Sequence, residues 1–197
     1  MATNGQVDWD RADGLAFATV DDSGGANVFG ENCLFIGERA TGFIFVKDSE
    51  FNQADQQNEW EYYKSGSPTD TFPSIGGRII DVAGGGFIRG DGYWFAGTHT
   101  VGARAQLSRR VNGVFTVLSS PSYNNPDIVN KKTQVLINIQ GTTIKGKIIT
   151  VSTQAVLIDV EVTDSTFSGP GTAGIAMFSP HPTQNFFIDN FNGRDAA

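Results

Sequence analysis

The stretch AVLIDVEV, residues 155–162, alternates along most of its length between branched apolar and charged side chains. Its even-numbered positions, from Val156 to Val162, are all β-branched and apolar, whereas Leu157, Asp159 and Glu161 occupy odd positions. Successive side chains of an extended strand point to opposite faces. This period of two therefore predicts a strand with one face on a core and the other in water.

Two turn signals predict hairpins on the N-terminal side of this strand. Asn112-Gly113 stands between two apolar runs, and both residue types tolerate the positive φ that a two-residue hairpin turn requires. Gln140-Gly141 stands between two further apolar runs in the same way. The sequence therefore predicts antiparallel pairing between strands that are neighbours in the chain.

The rest of the sequence agrees with a β fold. Ile and Val far outnumber Leu, Phe occurs 15 times, and 24 glycines suit a fold with many tight turns. No stretch of useful length has the i, i+3, i+4, i+7 apolar spacing of an amphipathic helix. Further strands are predicted at 15–20, 33–36, 43–47, 86–89, 93–98, 174–179 and 186–191. The predicted fold class is all-β, an antiparallel two-sheet β-sandwich of the jelly-roll type.

The length of 197 residues predicts one β-sandwich domain spanning residues 1–197. Residues 48–78 are polar, contain Pro68 and Pro73, and show weak periodicity. They are interpreted as a long polar loop excursion with one strand near residues 60–63. Because long loops on rigid sandwiches often carry binding residues, this excursion is a candidate region for function.

Charge and cysteine content exclude several classes of protein. The net charge of −7 disfavours nucleic-acid binding, which needs a basic surface. No apolar run approaches the ~20 residues of a membrane helix, and the start lacks the pattern of a secretory signal peptide, so neither membrane insertion nor export by a leader is expected. Cys33 is the only cysteine, which leaves no disulfide framework and no thiolate zinc site.

Several segments from residue 85 onward have the order and character of a known family. They are GGFIR (85–89), GYWF (92–95), AQLSRRVNGVFTVL (105–118), VLINIQGTTIKG (135–146), VTDSTFSGPGTAGIA (162–176) and FFIDNF (186–191). In this order the chain resembles the concanavalin A-like lectin/glucanase superfamily, in its laminin-G-like branch. The resemblance implies a concanavalin A-like jelly roll and does not fix a function.

Glycan binding needs exposed aromatic faces beside hydrogen-bonding side chains, because sugar rings stack their C–H surfaces on such faces. Aromatic residues with polar neighbours in predicted loops or at strand starts are the candidates. Arginines near them form a basic patch that suits an acidic glycan or the carboxylates of a neighbouring subunit. The candidate glycan-binding residues are Trp60, Tyr62, Tyr63, Trp94, Tyr123, Arg104 and Arg109.

A glycoside hydrolase is the enzyme alternative. Laminarinase-like members of the superfamily carry strand carboxylates at i, i+2 and i+5, and Asp159, Glu161 and Asp164 reproduce this spacing. The family motif has glutamates at the outer positions and aspartate between them, which is the reverse of the order here. The favoured interpretation is a solvated strand face followed by a turn aspartate, and no catalytic residue is predicted.

The sequence also contains residues that could serve in metal binding or adhesion. His99 and His181 have no ligand at metal-binding spacing, so no metal site or other cofactor is predicted. Calcium is left open because laminin-G-like domains often hold it through loop oxygens, and the loop candidates here are Asp21, Asp22, Asp81, Asp91 and Asp127. Arg89-Gly90-Asp91 spells an adhesion tripeptide, but Gly90-Asp91-Gly92 is interpreted as the turn between two strands.

The resemblance and the missing export signals together lead to one functional hypothesis. The chain is expected to be a non-enzymatic bacteriophage virion protein, as a capsid decoration, head appendage or tail-associated attachment protein. It would be made in the host cytoplasm, assemble with other virion proteins or as an oligomer, and bind cell-surface polysaccharide. The alternative is a carbohydrate-binding module or a laminarinase-like glycoside hydrolase.

Overall fold

The computed structural model describes residues 17–22, 27–29, 33–36, 42–65, 72–80, 90–97, 105–122, 131–179 and 185–196. Fourteen strands lie in these ranges. They are β1 (Phe17–Asp22), β2 (Asn27–Phe29), β3 (Cys33–Ile36), β4 (Gly42–Gln53), β5 (Gln56–Ser65), β6 (Phe72–Ile80), β7 (Asp91–Gly97), β8 (Ala105–Val111), β9 (Val114–Ser119), β10 (Thr133–Gln140), β11 (Thr143–Thr150), β12 (Ala155–Thr163), β13 (Gly171–Ser179) and β14 (Asn185–Asp195).

The strands form two sheets of seven. The first sheet has the order β1-β4-β13-β6-β7-β8-β9, and the second has the order β12-β11-β10-β5-β14-β3-β2. All the pairings between these strands are antiparallel. This architecture confirms the predicted all-β, two-sheet sandwich. The described ranges contain no helix with the length and hydrophobicity needed to span a bilayer.

The core lies between the two sheets. β10 and β11 alternate buried residues with half-buried ones, since one face of each strand packs inward. From the opposite sheet, Tyr93 and Phe95 of β7 and Leu107 of β8 are fully buried in the same cluster. The Phe95 ring lies so close to Gly146 of β11 that a Cβ at Gly146 would stand 2.6 Å from a ring carbon.

The local turn predictions are confirmed with one shift. Asn112 and Gly113 connect β8 to β9 with φ angles of 50° and 82°, the left-handed conformation that this pair tolerates. The turn between β10 and β11 consists of Gly141 and Thr142, one residue later than predicted, with Gly141 at φ 55°. The stretch that predicted the fold class forms most of β12 and pairs with β11. The strand predicted at 86–89 falls outside the described residues.

The predicted loop excursion at 48–78 is wrong. β4 continues to Gln53, β5 is a ten-residue strand near the middle of the second sheet, and β6 lies inside the first sheet. The sequence of β5 looked like a loop because two of its buried residues, Gln56 and Asn58, are polar. Their burial is tolerated because hydrogen bonds satisfy most of their polar atoms.

Arg78 of β6 is the centre of a buried polar cluster at one end of the sandwich. Its side chain is only 1% exposed and donates to the carbonyls of Ala54 and Phe167, the latter at 2.6 Å. It also forms a 3.1 Å ion pair with Asp55, whose carboxylate accepts a hydrogen bond from the Gly141 N–H at 2.8 Å. Arg78 thereby joins the β4–β5 turn, the β10–β11 turn and the segment that leads to β13.

Gln56 completes this cluster from the start of β5. Its side-chain N–H groups donate to the Gln53 carbonyl at 2.6 Å and to the Gly171 carbonyl. Its side-chain oxygen accepts from the Arg78 backbone N–H at 2.9 Å and from Asn58 at 3.0 Å. Arg78 has a φ of 48°, an unusual conformation for a non-glycine residue, and these contacts hold it there.

Candidate functional site

The outward face of β5 and β10 carries a continuous set of polar side chains. Because Gln56, Asn58 and Trp60 point inward, the alternate residues Gln57 and Glu59 lie on the outer face, where they are half-buried. Gln134 and Asn138 of β10 alternate with buried residues in the same way and are half-buried too. We call Gln57, Glu59, Gln134 and Asn138 the polar row.

The hydrogen bonds within the polar row are long. Glu59 accepts from Gln57 at 3.5 Å and from Gln134 at 3.4 Å, and Gln57 accepts from Asn138 at 3.4 Å. Typical N–H···O distances are about 2.7–3.2 Å, so these bonds are weak. A ligand hydroxyl can replace them at little cost while the side chains stay oriented by the sheet.

Apolar side chains lie beside the polar row. Leu136 pairs with Glu59 on one side and with Lys147 on the other, and Ile149 of β11 pairs with Gln134. Both Leu136 and Ile149 are half-buried on the outer face. Amide and carboxylate groups next to an apolar strip can meet both the hydroxyls and the C–H surface of a sugar ring.

Ion pairs surround the polar row. Lys132 contacts Glu61 at 2.6 Å, Lys145 contacts Glu161 at 2.8 Å, and Lys147 contacts Asp159 at 3.1 Å. The hydrogen bond and charge of Glu161 raise the pKa of Lys145 above its usual value. Each of these three lysines is matched by a carboxylate, so they form no unbalanced cluster of positive charge for an acidic ligand on the described side chains of β5, β10, β11 and β12.

The three carboxylates of the hydrolase spacing do not gather at one place. Asp159 and Glu161 lie on the outer face of β12, are more than half exposed, and pair with lysines of β11. Asp164 is buried and contacts the first sheet instead. The interpretation of Asp159 and Glu161 as a solvated strand face is confirmed, because both are exposed and paired with lysines.

Asp164 and Tyr93 form a buried hydrogen-bonded pair. The Tyr93 hydroxyl donates to Asp164 Oδ1 at 2.8 Å and accepts from the Phe167 N–H at 3.2 Å. Arg109 contacts Asp164 Oδ2 at 2.5 Å, and the Thr166 N–H donates to Oδ1 at 2.9 Å. Burial alone would raise the pKa of Asp164, but hydrogen bonds from Thr166, Tyr93 and Arg109 outweigh it and lower that pKa below its usual value.

The Tyr93–Asp164 hydrogen bond can be tested by replacing Tyr93 with phenylalanine and measuring the free energy of unfolding at alkaline pH. Burial, followed by the bond to Asp164, raises the Tyr93 pKa from 10.0 to about 12. Below pH 10 the Tyr93 phenol is protonated in both the folded and the unfolded chain, so its contribution to stability is complete. Between pH 10 and 12 the unfolded chain loses this proton while the folded chain keeps it, so the free energy of unfolding falls.

We expect Tyr93→Phe to cost about 1–3 kcal/mol at neutral pH, because Asp164 and the Phe167 N–H lose a buried partner. The gap between wild type and variant should narrow as the pH rises from 10 to 12. Denaturant midpoints measured across this range are the readout, since other titrating groups are common to both proteins. A difference in denaturant midpoint between the two proteins that stays constant from pH 10 to 12 would contradict the raised pKa of Tyr93.

The two tryptophan candidates are not exposed platforms. Trp60 belongs to the core between the sheets, and Trp94 is buried on the other face of β7, where its ring crowds Gly76. Both rings are at most 2% exposed, so neither offers a face on which a sugar could stack. Tyr62 and Tyr63 lie on β5, and their side chains are outside the described part of the structure.

The other residues that the sequence suggested for glycan or metal binding either make structural contacts or lie outside the described residues. Arg109 is committed to Asp164 and to the Thr166 hydroxyl at 2.9 Å. Arg104, Tyr123, His99 and His181 are outside the described residues. The sequence prediction missed the polar row, although Gln57 and Glu59 alternate with inward residues and so carried a period-two signal.

Asp91 has a structural role in place of adhesion or calcium binding. It begins β7, is buried, and pairs with the buried Arg110 at 3.2 Å. It also accepts hydrogen bonds from the backbone N–H groups of Asn112 and Gly113, the latter at 3.2 Å, and so fixes the β8–β9 turn. Asp91 and Gly92 lie in a strand, which corrects the predicted turn at Gly90-Asp91-Gly92.

Burial lowers the pKa of Arg110, and the charge of Asp91 opposes that shift. Asp91 does not fit a calcium ligand because its oxygens are occupied by these donors. The side chains of Asp21, Asp22, Asp81 and Asp127 are outside the described part. Within that part, no three His, Cys, Asp or Glu residues are grouped closely enough to hold a metal ion.

Solved structures similar to this chain are lectins. The exoplasmic/lumenal domain of VIP36 in its Ca2+/Man-bound form has a TM-score of 0.71 at 8% identity, over 92% of this chain and 83% of that one. The basic winged bean lectin with Tn-antigen has a TM-score of 0.67 at 7% identity, over 98% and 96% of the two chains. The fold is that of the legume lectins.

A legume lectin-like domain from Entamoeba histolytica has the same lectin fold, with a TM-score of 0.65 at 9% identity over 90% of each chain. No protein-family model and no curated protein sequence matches the chain. The predicted concanavalin A-like fold is confirmed. At these identities the lectin fold leaves function to be argued from the site.

Proposed function

We propose that this chain is a non-enzymatic glycan-binding protein whose polar row binds a neutral polysaccharide. The observation that carries the proposal is the combination of a lectin fold with a half-buried strip of amides, carboxylate and aliphatic side chains on β5, β10 and β11. VIP36 and the winged bean lectin, which share the fold, are described with Man and with Tn-antigen bound.

The chemistry of the polar row suits sugar hydroxyls. Each Gln or Asn amide offers both a donor and an acceptor, and Glu59 offers an acceptor, so vicinal hydroxyls find complementary partners. Leu136 supplies apolar surface for the ring. The strip crosses neighbouring strands, and this geometry favours an extended chain of several sugar units over a single residue.

The charge balance points to a neutral ligand. Lys145 and Lys147 are paired with Glu161 and Asp159, and Lys132 is paired with Glu61. The chain as a whole has a net charge of −7, which repels acidic polymers at low salt. We therefore expect neutral host polysaccharides to bind better than sulfated or uronic-acid polymers.

Glycan arrays followed by calorimetric titration of the best ligand test this proposal. Gln134→Ala should weaken binding about tenfold, which corresponds to about 1.4 kcal/mol, because a sugar hydroxyl loses one partner. Gln106→Ala is the matched control, since Gln106 is a half-buried glutamine of β8 in the first sheet, whereas the polar row lies on the second sheet. It should bind as the wild type does.

Two outcomes would contradict the proposal. One is the absence of saturable binding across a broad panel of neutral and acidic glycans. The other is binding that Gln134→Ala and Glu59→Ala both leave unchanged, which would move the site away from the polar row. Sugar release that Glu161→Gln abolishes would favour the hydrolase alternative.

We also propose, from the sequence, that the protein is displayed on a bacteriophage particle with other virion proteins. The single Cys33 supports this, because exported domains of modest size commonly rely on disulfides. Quantitative mass spectrometry of purified particles should find the chain in stoichiometric copies. A copy number near zero would remove the proposal without affecting glycan binding.

A further inference from the structure

β9 is an unusually exposed strand. It ends the first sheet, and no strand in the described ranges pairs with its outer edge. Val114, Phe115 and Val117 are 67%, 46% and 50% exposed, so large apolar side chains meet solvent on both faces of the strand. Such a strand offers unpaired backbone groups and apolar surface together, which is a template for pairing with another strand.

One of the two edge strands of the second sheet, β12, differs from β9. β12 carries Asp159 and Glu161 on its outer face, both in ion pairs with lysines of β11. Charged residues on an edge discourage pairing with another chain. β9 has no charged residue and no proline from Val114 to Ser119, so only one of these two edges is protected.

The hairpin register determines which backbone groups of β9 face outward. Val111 pairs with Val114 across the two-residue turn, and the residues that close such a turn exchange both hydrogen bonds. Hydrogen-bonded and non-hydrogen-bonded pairs then alternate as far as the Ser108–Val117 pair, beyond which the register shifts. Phe115 and Val117 are therefore in non-hydrogen-bonded pairs with β8, and their N–H and C=O groups point away from the sheet.

We propose that β9 pairs antiparallel with β9 of a second copy of this chain. A two-fold axis at Thr116 places Phe115 opposite Val117 of the second copy, and Val117 opposite its Phe115. Both of these pairs use the outward backbone groups, so the register that matches the side chains also matches the hydrogen bonds. The two first sheets then form one continuous sheet across the dimer.

The side chains favour a second copy over an unrelated strand. An aromatic residue opposite a β-branched residue is a favourable cross-strand pair, and the two-fold axis forms it twice. Arg110 lies over the Phe115 ring at 5.9 Å and is buried and paired with Asp91. No like charges face each other at the contact, although each chain has a net charge of −7.

Sedimentation velocity and light scattering over about a hundredfold range of chain concentration test the dimer, since mass action makes it concentration-dependent. Val117→Pro removes an N–H that points outward and leaves the β8–β9 hydrogen bonds intact. Thr116→Lys places two lysines opposite each other at the axis. Each variant should weaken dimerisation at least about tenfold, with a circular-dichroism spectrum that matches the wild type.

Val156→Ser is the matched control, because Val156 is an exposed apolar residue of the other edge strand, β12, and should leave dimerisation unchanged. A wild type that stays monomeric over the whole range would overturn the proposal. A dimer that persists in both Val117→Pro and Thr116→Lys would also overturn it. A wild type that stays monomeric and binds an added β-strand peptide along β9 would overturn the proposal as well.

Discussion

Arg78→Met should lower the free energy of unfolding by about 3–5 kcal/mol, one of the two largest losses expected for a single substitution in the described chain. The side chain is 1% exposed and contacts the carbonyls of Ala54 and Phe167 together with Asp55. Removing the cation leaves the two carbonyls without their buried donor, whereas the Asp55 carboxylate is 52% exposed and can be hydrated. Chemical denaturation followed by tryptophan fluorescence measures the change.

Lys147→Met is the matched control for Arg78→Met. The Lys147–Asp159 pair has the same 3.1 Å separation as the Arg78–Asp55 pair, but both of its side chains are solvated. An exposed ion pair contributes about 0–1 kcal/mol, so this variant should unfold close to the wild type. Equal losses for the two variants would show that burial of Arg78 does not determine its contribution.

Phe95→Ala should cost about 3–5 kcal/mol, because a fully buried ring is replaced by a cavity. The Gly146 contact predicts how this loss changes in a double mutant. In the wild type, Gly146→Ala should cost about 1–3 kcal/mol, since its new Cβ would lie 2.6 Å from the Phe95 ring. In the Phe95→Ala background the same change enters empty space and should cost little.

A double-mutant cycle of Phe95→Ala and Gly146→Ala measures this coupling, and we expect about 0.5–3 kcal/mol. Gly169→Ala is the control, because a Cβ at Gly169 meets no atom within 4 Å. It should be neutral or slightly stabilising through its effect on the unfolded chain. Additive losses at Phe95 and Gly146 would contradict the contact.

The parts of the fold that the sequence predicted are local. The Asn112-Gly113 turn and the β10–β11–β12 meander are fixed by residues close together in the chain, where turn chemistry and a period of two agree. One residue of β12 departs from the predicted pattern of burial. Val156 begins the apolar side of the pattern but is exposed, since a register shift in the β11–β12 pairing puts it opposite Ile149, which lies on the outer face.

The prediction of a loop was wrong for β5 and β6 because long-range contacts determine the environment of their residues. Gln56, Asn58 and Arg78 look like loop residues until partners from distant segments satisfy them, such as the Gly171 and Phe167 carbonyls. No local pattern contains that information. The inward orientation of Trp60 was easier to predict from the sequence, because charged residues, Glu59 and Glu61, stand on either side of this aromatic residue.

The candidate site was missed for the opposite reason. Polar residues on a strand face are ordinary, and only the pairing of β5 with β10 brings Gln57 next to Asn138 and Glu59 near Gln134. The register of two strands so far apart in sequence follows from the topology of the whole sandwich. The sequence predicted binding by exposed aromatics, but two of those rings stabilise the core or the sheet face.

β13 lies between β4 and β6, and β14 lies between β5 and β3, although both strands come last in the chain. A ribosome that adds about 5–20 residues per second releases most of both sheets before the strands that join their halves exist. During that interval β4, β6, β3 and β5 each have an open inner edge that other nascent chains can reach. A translation product that stops at residue 170 would retain its hairpins, close neither sheet, and depend on chaperones to remain unaggregated.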